Sequence, residues 1–370
     1  MNILAMNWQC TKNPLSGGAE VHFQEIFKRI VAMGHSVTLL ACTFEGCKSE
    51  EIVDGIKIIR KGGRSLFNYT VRTLYKSVAY KEHFDIVIDD INKVPFYSPL
   101  FVKEPLLAIS HHFFGANIFH ETNFFAGSYV YFSEALIKYV YKNTPFAVVS
   151  QSTLDEFISM GFNPKNFTII YNAFDKNNFP LKVSEKPAYP VISYFGRLKK
   201  YKSVDHLFYA FANVTKKYPN AELKIIGKGD FRDFLEKLAK ELGIEKNVRF
   251  LGFVSEEAKS VELSTSYCVV NTSIKEGWGI TNLEANACGT LVISSDVPGL
   301  RDSVKNGVSG LLYKYGDIDD LTDAMLQVID NIELRNKLSL GGLEWANSFS
   351  WDKSAAAMLE KCEEVIAAWR

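Results

Sequence analysis

Short apolar runs alternate with amphipathic stretches along the whole chain, and this pattern constrains the fold more than any other feature. Residues 3–6, 37–41, 56–59, 86–88, 106–109 and 147–149 read as buried strands, each followed by turn or helix signals. The pattern pauses at PLKVSEKPAYP, residues 180–190, where three prolines and mixed charges mark a linker. It restarts with runs at 191–195, 223–226, 248–251, 268–270 and 291–294, separated by helical stretches such as 205–217 and 231–242. Strands alternating with helices predict an α/β fold with mostly parallel sheets covered on both faces. A chain of 370 residues exceeds the roughly 250–300 at which a single core stops growing, so two doubly wound domains are expected. Their expected bounds are 1–180 and 188–350, with an amphipathic helix over 352–370 at the end.

Charge and cysteine usage narrow the function classes. Forty-two basic residues balance 42 acidic ones, so no field gathers nucleic acid over the whole surface. Six cysteines without a CxxC spacing fit neither a zinc site nor a disulfide framework and point to a reduced, cytoplasmic compartment. The start, MNILAMNWQC, is too broken for a signal-peptide core, and no run is long enough to span a bilayer. One window is biased: residues 57–81 hold seven Lys or Arg and no acid, interleaved with Phe67, Tyr69, Tyr75 and Tyr80. It reads either as a solvated basic helix or as a peripheral contact with anionic membrane.

Three stretches carry candidate chemistry. In NPLSGGAEVHFQEIFKRI, Gly17 and Gly18 stand between a strand and a helix, where backbone N–H groups and the dipole favour a phosphate. Such a pair is more often a tight turn, and it is not the dinucleotide fingerprint GxGxxG. In SYFGRLKKYKSVDHLFYAF, Arg197 and Lys202 follow a strand end, where ligands of open α/β sheets collect. A guanidinium and an ammonium there can hold a diphosphate, although Lys199, Lys200 and Lys202 also read as solubilising a loop. In KEGWGITNLEANACGT, Glu276 and Glu284 flank a glycine-rich loop that crosses from a strand to a helix starting near Ile280. The loop, Gly277, Trp278 and Gly279, can offer backbone N–H groups between the two carboxylates. For Glu284 alone, complementing a helix N-terminus would suffice as an explanation.

GGAE near the start, the GRL segment with Arg197 and Lys202, and EGWG before ITNLEANACGTLVISSDVPGLRDSV together resemble the retaining nucleotide-sugar glycosyltransferases of family four. The likeness covers nearly the whole chain, and the eight-residue spacing of Glu276 and Glu284 matches that family's EX7E pattern. It implies a GT-B fold, two Rossmann-like domains facing across a cleft, with the final helix crossing back to the first domain. It further implies that Arg197 and Lys202 grip the donor diphosphate without a metal or other cofactor. By the same resemblance Glu284 bonds the donor ribose, and Glu276 contacts the transferred sugar near its reacting carbon. The backbone from Gly277 through Ile280 to Thr281 steadies sugar and phosphate, Gly18 lets the first domain close on the phosphate, and Phe253 and Val254 line the base pocket.

The family places a histidine after a strand of the first domain, where EPLLAISHHFFGANIF offers His111 and His112; His111, the first to leave the strand, is preferred as the catalytic one. Asp89 and Asp90 read as cleft or loop residues on the acceptor side rather than a metal pair, and Glu121 with the aromatic stretch 113–125 is expected to shape the acceptor site. The implied activity moves a sugar from a nucleotide-diphosphate sugar to a saccharide, lipid-linked or small-molecule acceptor in glycan or glycolipid precursor assembly. A phosphorylase or hydrolase of the same fold, and a non-catalytic nucleotide-binding regulatory subunit, are the competing readings. Retention of Arg197, Lys202, Glu276 and Glu284 weighs against the second. A nicotinamide-dependent oxidoreductase is disfavoured by the missing fingerprint.

Overall fold

A computed structural model describes residues 1–91, 93–120, 122–179 and 183–369. The chain divides into two compact units, Met1–Asn172 with Trp351–Arg370, and Ala173–Ser350. Residues 183–190 of the proline-containing segment thus lie within the second unit, and residues 180–182 are outside the described residues.

The first unit is built on strands β1 (Asn2–Asn7), β2 (Ser36–Ala41), β3 (Glu50–Val53), β4 (Ile56–Arg60), β5 (Ile86–Ile91), β6 (Leu106–Ser110), β7 (Phe146–Val148) and β8 (Phe167–Ile169). They form one sheet in the order β3-β4-β2-β1-β5-β6-β7-β8. Every pairing is parallel except the β3–β4 hairpin. Helices α1 (Gly18–Ala32), α2 (Phe67–Ala79), α3 (Phe124–Ala135), α4 (Ile137–Val140) and α5 (Gln151–Ser159) connect the strands. Strand β5 is buried at every position, as expected of a central parallel strand. The C-terminal helix, Trp351–Trp369, packs on α1, and the Ser354 hydroxyl donates to the Tyr171 carbonyl at 2.7 Å.

The second unit repeats the plan with β9 (Val191–Phe195), β10 (Glu222–Ile226), β11 (Val248–Gly252), β12 (Cys268–Asn271), β13 (Leu291–Ser295) and β14 (Gly310–Tyr313) in the order β11-β10-β9-β12-β13-β14, all parallel. Its helices are α6 (Val204–Lys217), α7 (Arg232–Glu241), α8 (Glu256–Ser264), α9 (Ile280–Ala287), α10 (Leu300–Ser303), α11 (Ile318–Asp330) and α12 (Ile332–Asn347). One apolar cluster, including Ile192, Phe208, Phe211, Leu223 and Ile293, fills the space between sheet and helices.

The strands that sequence periodicity does not announce, β3, β8 and β14, all lie at sheet edges. An edge strand has one neighbour and is half-buried, so it needs no continuous apolar run; β3 alternates exposed and intermediate positions throughout. The window 57–81 is not a single basic helix. It starts within β4, and Arg60 turns inward to pair with Glu51 at 2.5 Å and to reach the Cys10 sulfur, leaving the remaining cations to solvent.

Candidate functional site

In both sheets the chain winds outward from a central strand, first to one side and then to the other. In the second unit β9 leads to β10 and β11 on one side, while β12 returns beside β9 to start the other side. The loops leaving the carboxyl ends of β9 and β12 therefore meet at the switch-point crevice, the place where open α/β sheets bind ligands. They are residues 196–203 and 272–279. The two are laced together: the Thr272 hydroxyl donates to the Lys202 carbonyl at 2.8 Å, and the Ile274 N–H donates to the Tyr201 carbonyl at 3.0 Å.

This lacing brings Lys202 and Glu276, 74 residues apart in sequence, into a hydrogen-bonded ion pair. Both side chains are largely withdrawn from solvent, at 14% and 19% exposure. Burial by itself lowers the Lys202 pKa, but the Glu276 carboxylate, with Tyr201 and Tyr194, outweighs it and holds the ammonium above the ordinary lysine range. Ser273 Oγ lies 2.7 Å from Glu276 Oε1 and 3.0 Å from Asn271 Oδ1. Asn271 continues the network to Asn282 at 3.2 Å, and Asn282 donates to Ser303 at 2.9 Å. Beside the pair, exposed Arg197 donates to the Tyr201 hydroxyl at 3.2 Å. The crevice thus holds two cations and one carboxylate on a braced polar floor.

The loop through Glu276 is fixed by a close backbone approach. Gly299 has φ +83°, and a Cβ there would stand 2.1 Å from the Glu276 carbonyl oxygen. Only glycine accepts both that conformation and that contact. Gly279, at φ +95°, is the N-cap of α9, so Ile280 and Thr281 open the helix as the first residues inside it. The Trp278 indole does not face the crevice: it is buried against Phe349 at 5.3 Å between ring centroids, which leaves backbone as Trp278's contribution to the loop.

Glu284, one turn into α9, has a partner that sequence reading missed. Lys259 of α8 donates to its carboxylate at 3.0 Å, and the same ammonium lies 4.8 Å from the centre of the Phe195 ring. Burial pushes the Glu284 carboxyl above its usual range and Lys259 restrains that rise. Locally Lys259 reads only as an i,i+3 helix pair with Glu256, 2.6 Å away; its contact with Glu284 spans 25 residues. Phe253 is exposed just beyond β11, and Val254 lies next to it, before the Ser255 cap of α8.

The first unit has its own switch point, between β1 and β5. There Asn7 Nδ2 donates to Asp90 Oδ2 at 2.7 Å, and His111 Nε2 lies 2.9 Å from Asp90 Oδ1. The His111 ring meets buried His22 edge-on at 5.0 Å, and burial with the nearby His111 keeps His22 well below the ordinary histidine range. His112 turns instead toward the Phe114 ring, 4.6 Å away. Asp89 and Asp90 are neither loop nor open-cleft residues. Both lie inside β5 and are buried, and strand alternation gives them different partners: Asp89 accepts from the Ser98 and Tyr141 hydroxyls. Gly17 caps α1, and its N–H is taken by the Glu20 carboxylate at 2.6 Å, so the donors toward a phosphate begin at Gly18. Glu121 lies outside the described residues. Among the described residues no group of three His, Cys, Asp or Glu side chains is placed to hold a metal ion, and no helix is long and apolar enough to cross a membrane.

Comparison with known proteins follows this two-unit division. The profile of Glycosyltransferase Family 4 matches residues 16–178, and that of Glycosyl transferases group 1 matches residues 175–345. An uncharacterized glycosyltransferase of Methanocaldococcus jannaschii is 25% identical over 96% of this chain and 96% of its own length. Among solved structures, sucrose-phosphate synthase from Thermosynechococcus elongatus superposes with a TM-score of 0.80 at 19% identity, covering 99% of both chains. HepE of Anabaena, solved in complex with UDP and with UDP-glucose, gives a TM-score of 0.75 at 20% identity for the UDP complex, covering 98% of this chain and 100% of that one.

Proposed function

This chain belongs to the family-four-type glycosyltransferases of GT-B fold, and on that premise we propose that it is a retaining enzyme using a nucleotide-diphosphate sugar as donor. The observation that carries the reading is the Lys202–Glu276 pair at the β9/β12 switch point, with Arg197 beside it. A diphosphate arriving there meets an ammonium and a forked guanidinium, which supply the countercharge a departing nucleotide diphosphate needs. That supports a reaction without a metal. HepE, with its UDP and UDP-glucose complexes, supports a nucleotide sugar as donor and makes UDP-glucose the first to test.

In the proposed reaction the acceptor hydroxyl attacks the anomeric carbon on the face from which the diphosphate leaves. The carbon–oxygen bond to phosphate breaks, the bond to the acceptor oxygen forms, and the acceptor proton passes to a phosphate oxygen. Lys202 and Arg197 neutralise the leaving group, while Glu276, held by Ser273, contacts hydroxyls of the transferred sugar. Glu284, held by Lys259, bonds the ribose. Gly18 and the backbone from Gly277 to Thr281 approach phosphate and sugar, and Phe253 and Val254 flank the base. His111, oriented by Asp90, bonds a sugar hydroxyl. The acceptor is a glycan or glycolipid precursor met at the cytoplasmic membrane face, where the solvent-facing cations of 57–81 rest on anionic headgroups.

The test is release of nucleotide from a panel of nucleotide sugars, with and without EDTA, on wild type, Glu276→Gln and Lys202→Met. Turnover of one donor that survives EDTA, gives a product of retained anomeric configuration and is lost in both variants is the expected result. A product of inverted configuration, or a covalent glycosyl-enzyme trapped on a side chain, refutes the mechanism.

A further inference from the structure

Helix α3 and the turn after it are built inside out. Phe125, Tyr129, Phe132, Leu136 and Tyr139 recur at spacings of four, three, four and three residues, a single apolar stripe of the kind that normally faces a core. Here the stripe faces solvent, with exposures of 84%, 49%, 66%, 49% and 70% in that order. The opposite side of α3 supplies the buried positions Gly127, Val130, Ser133 and Glu134. Its one acid is turned inward, where the Glu134 carboxylate accepts from the Phe114 and Gly115 N–H groups at 2.8 Å each. Along residues 122–142 the charged groups left at the surface are Lys138 and Lys142.

The stripe joins a cationic neighbour. The Tyr129 hydroxyl lies 3.3 Å from that of Tyr69 on α2, whose outward side carries Arg72, Lys76 and Tyr80. Exposed Phe and Tyr flanked by Lys and Arg, with no solvent-facing acid along either helix, is the composition of a segment lying in the headgroup boundary of an anionic bilayer. A second copy of the chain fits the same surface poorly, because a two-fold interface sets like against like and would bring these cations together.

We infer that the α3 stripe is a lipid-inserting surface, with Phe125 and Phe132 entering the acyl boundary of an anionic bilayer while Lys138, Lys142 and the α2 cations meet its headgroups. This extends the membrane contact proposed for residues 57–81, and it is tested separately from it. The full chain is floated with vesicles of phosphatidylcholine alone and of phosphatidylcholine with phosphatidylglycerol, alongside Phe125→Ser/Phe132→Ser, Phe125→Lys/Phe132→Lys and Arg72→Ser/Lys76→Ser. All positions are exposed, and unchanged thermal unfolding checks that each variant is folded. The expected result is binding of wild type to the anionic vesicles, weakened at least about tenfold by either stripe variant. The lysine variant discriminates: insertion predicts that it binds less, whereas purely electrostatic attraction predicts that it binds more. Flotation of both stripe variants at the wild-type level overturns the inference while leaving the basic contact standing. Loss in Arg72→Ser/Lys76→Ser alone has the same meaning. Absence of wild-type flotation overturns both, as does a concentration-dependent dimer in solution that the serine stripe variant abolishes.

Discussion

Replacing Lys259 with methionine removes the ammonium that opposes the burial-driven rise of the Glu284 pKa, together with its pair to Glu256. Methionine keeps an unbranched stem over the Phe195 and Phe179 rings and removes only the ammonium. Glu284 is already raised from 4.5 by burial, with Lys259 opposing the rise, so losing Lys259 raises it further. An acid raised on folding gives stability that is complete below its unfolded pKa and lost as pH climbs through its folded pKa. The variant should therefore fall behind wild type increasingly with pH. Protonating the folded carboxyl caps the Glu284 share of the cost at no more than about 0.7 kcal/mol at pH 5 and about 3.4 kcal/mol at pH 7, at 1.36 kcal/mol per pH unit above 4.5, while the lost Glu256 pair adds a small term that stays constant between them. Guanidinium unfolding of the second unit at pH 5 and pH 7 measures both, with Glu284→Gln and the double variant completing a cycle. Equal destabilisation at the two pH values, or strict additivity in the cycle, would refute the pairing as the source of the effect.

Four further outcomes follow from the same geometry. Arg197→Lys keeps the charge but loses the planar fork, so calorimetric titration with UDP should show affinity reduced by about tenfold with little change in stability. Gly299→Ala must place a side chain at φ +83° against the Glu276 carbonyl, and should cost at least about 1–2 kcal/mol in denaturant unfolding while lowering transfer through the displaced loop. Asp89, buried and raised to about 6, loses its stabilising protonated form as pH rises from 4 to 7; across that range wild type should lose about 2.4 kcal/mol relative to Asp89→Asn, measured by unfolding at each pH. Asp90→Ala leaves buried Asn7 Nδ2 and His111 Nε2 without their shared partner, and should cost about 1–3 kcal/mol in denaturant unfolding.

The division between what was legible and what was not has physical causes. Central strands such as β1, β5, β9 and β12 are buried on both faces, so each must be written as an apolar run, and periodicity finds them. The edge strands β3, β8 and β14 escape because half-burial relaxes that demand. Of the candidate site, Arg197, Lys202, Glu276 and Glu284 were singled out by their resemblance to a family's motifs, which short spacings within a loop and the helix after it display directly in sequence. Trp278 was legible only as loop backbone; that its indole fills a core space beside Phe349 is a tertiary fact. Asp90 misled: its sequence position suggests an open loop, yet it is a buried strand residue holding Asn7 and His111.

The sequence by itself determined the α/β architecture, the twofold repetition of the plan and the loop chemistry, because periodicity, glycine placement and turn residues act over a few residues of chain. Tertiary structure alone decided the partnerships. Lys202 meets Glu276 because β9 and β12 are neighbours at a switch point, and Lys259 meets Glu284 because α8 and α9 flank β12. It also decided that the α3 stripe, written like a core-facing pattern, turns to solvent. Charges at separations of 25 and 74 residues find each other only after the sheet order is set, and no local pattern encodes that order.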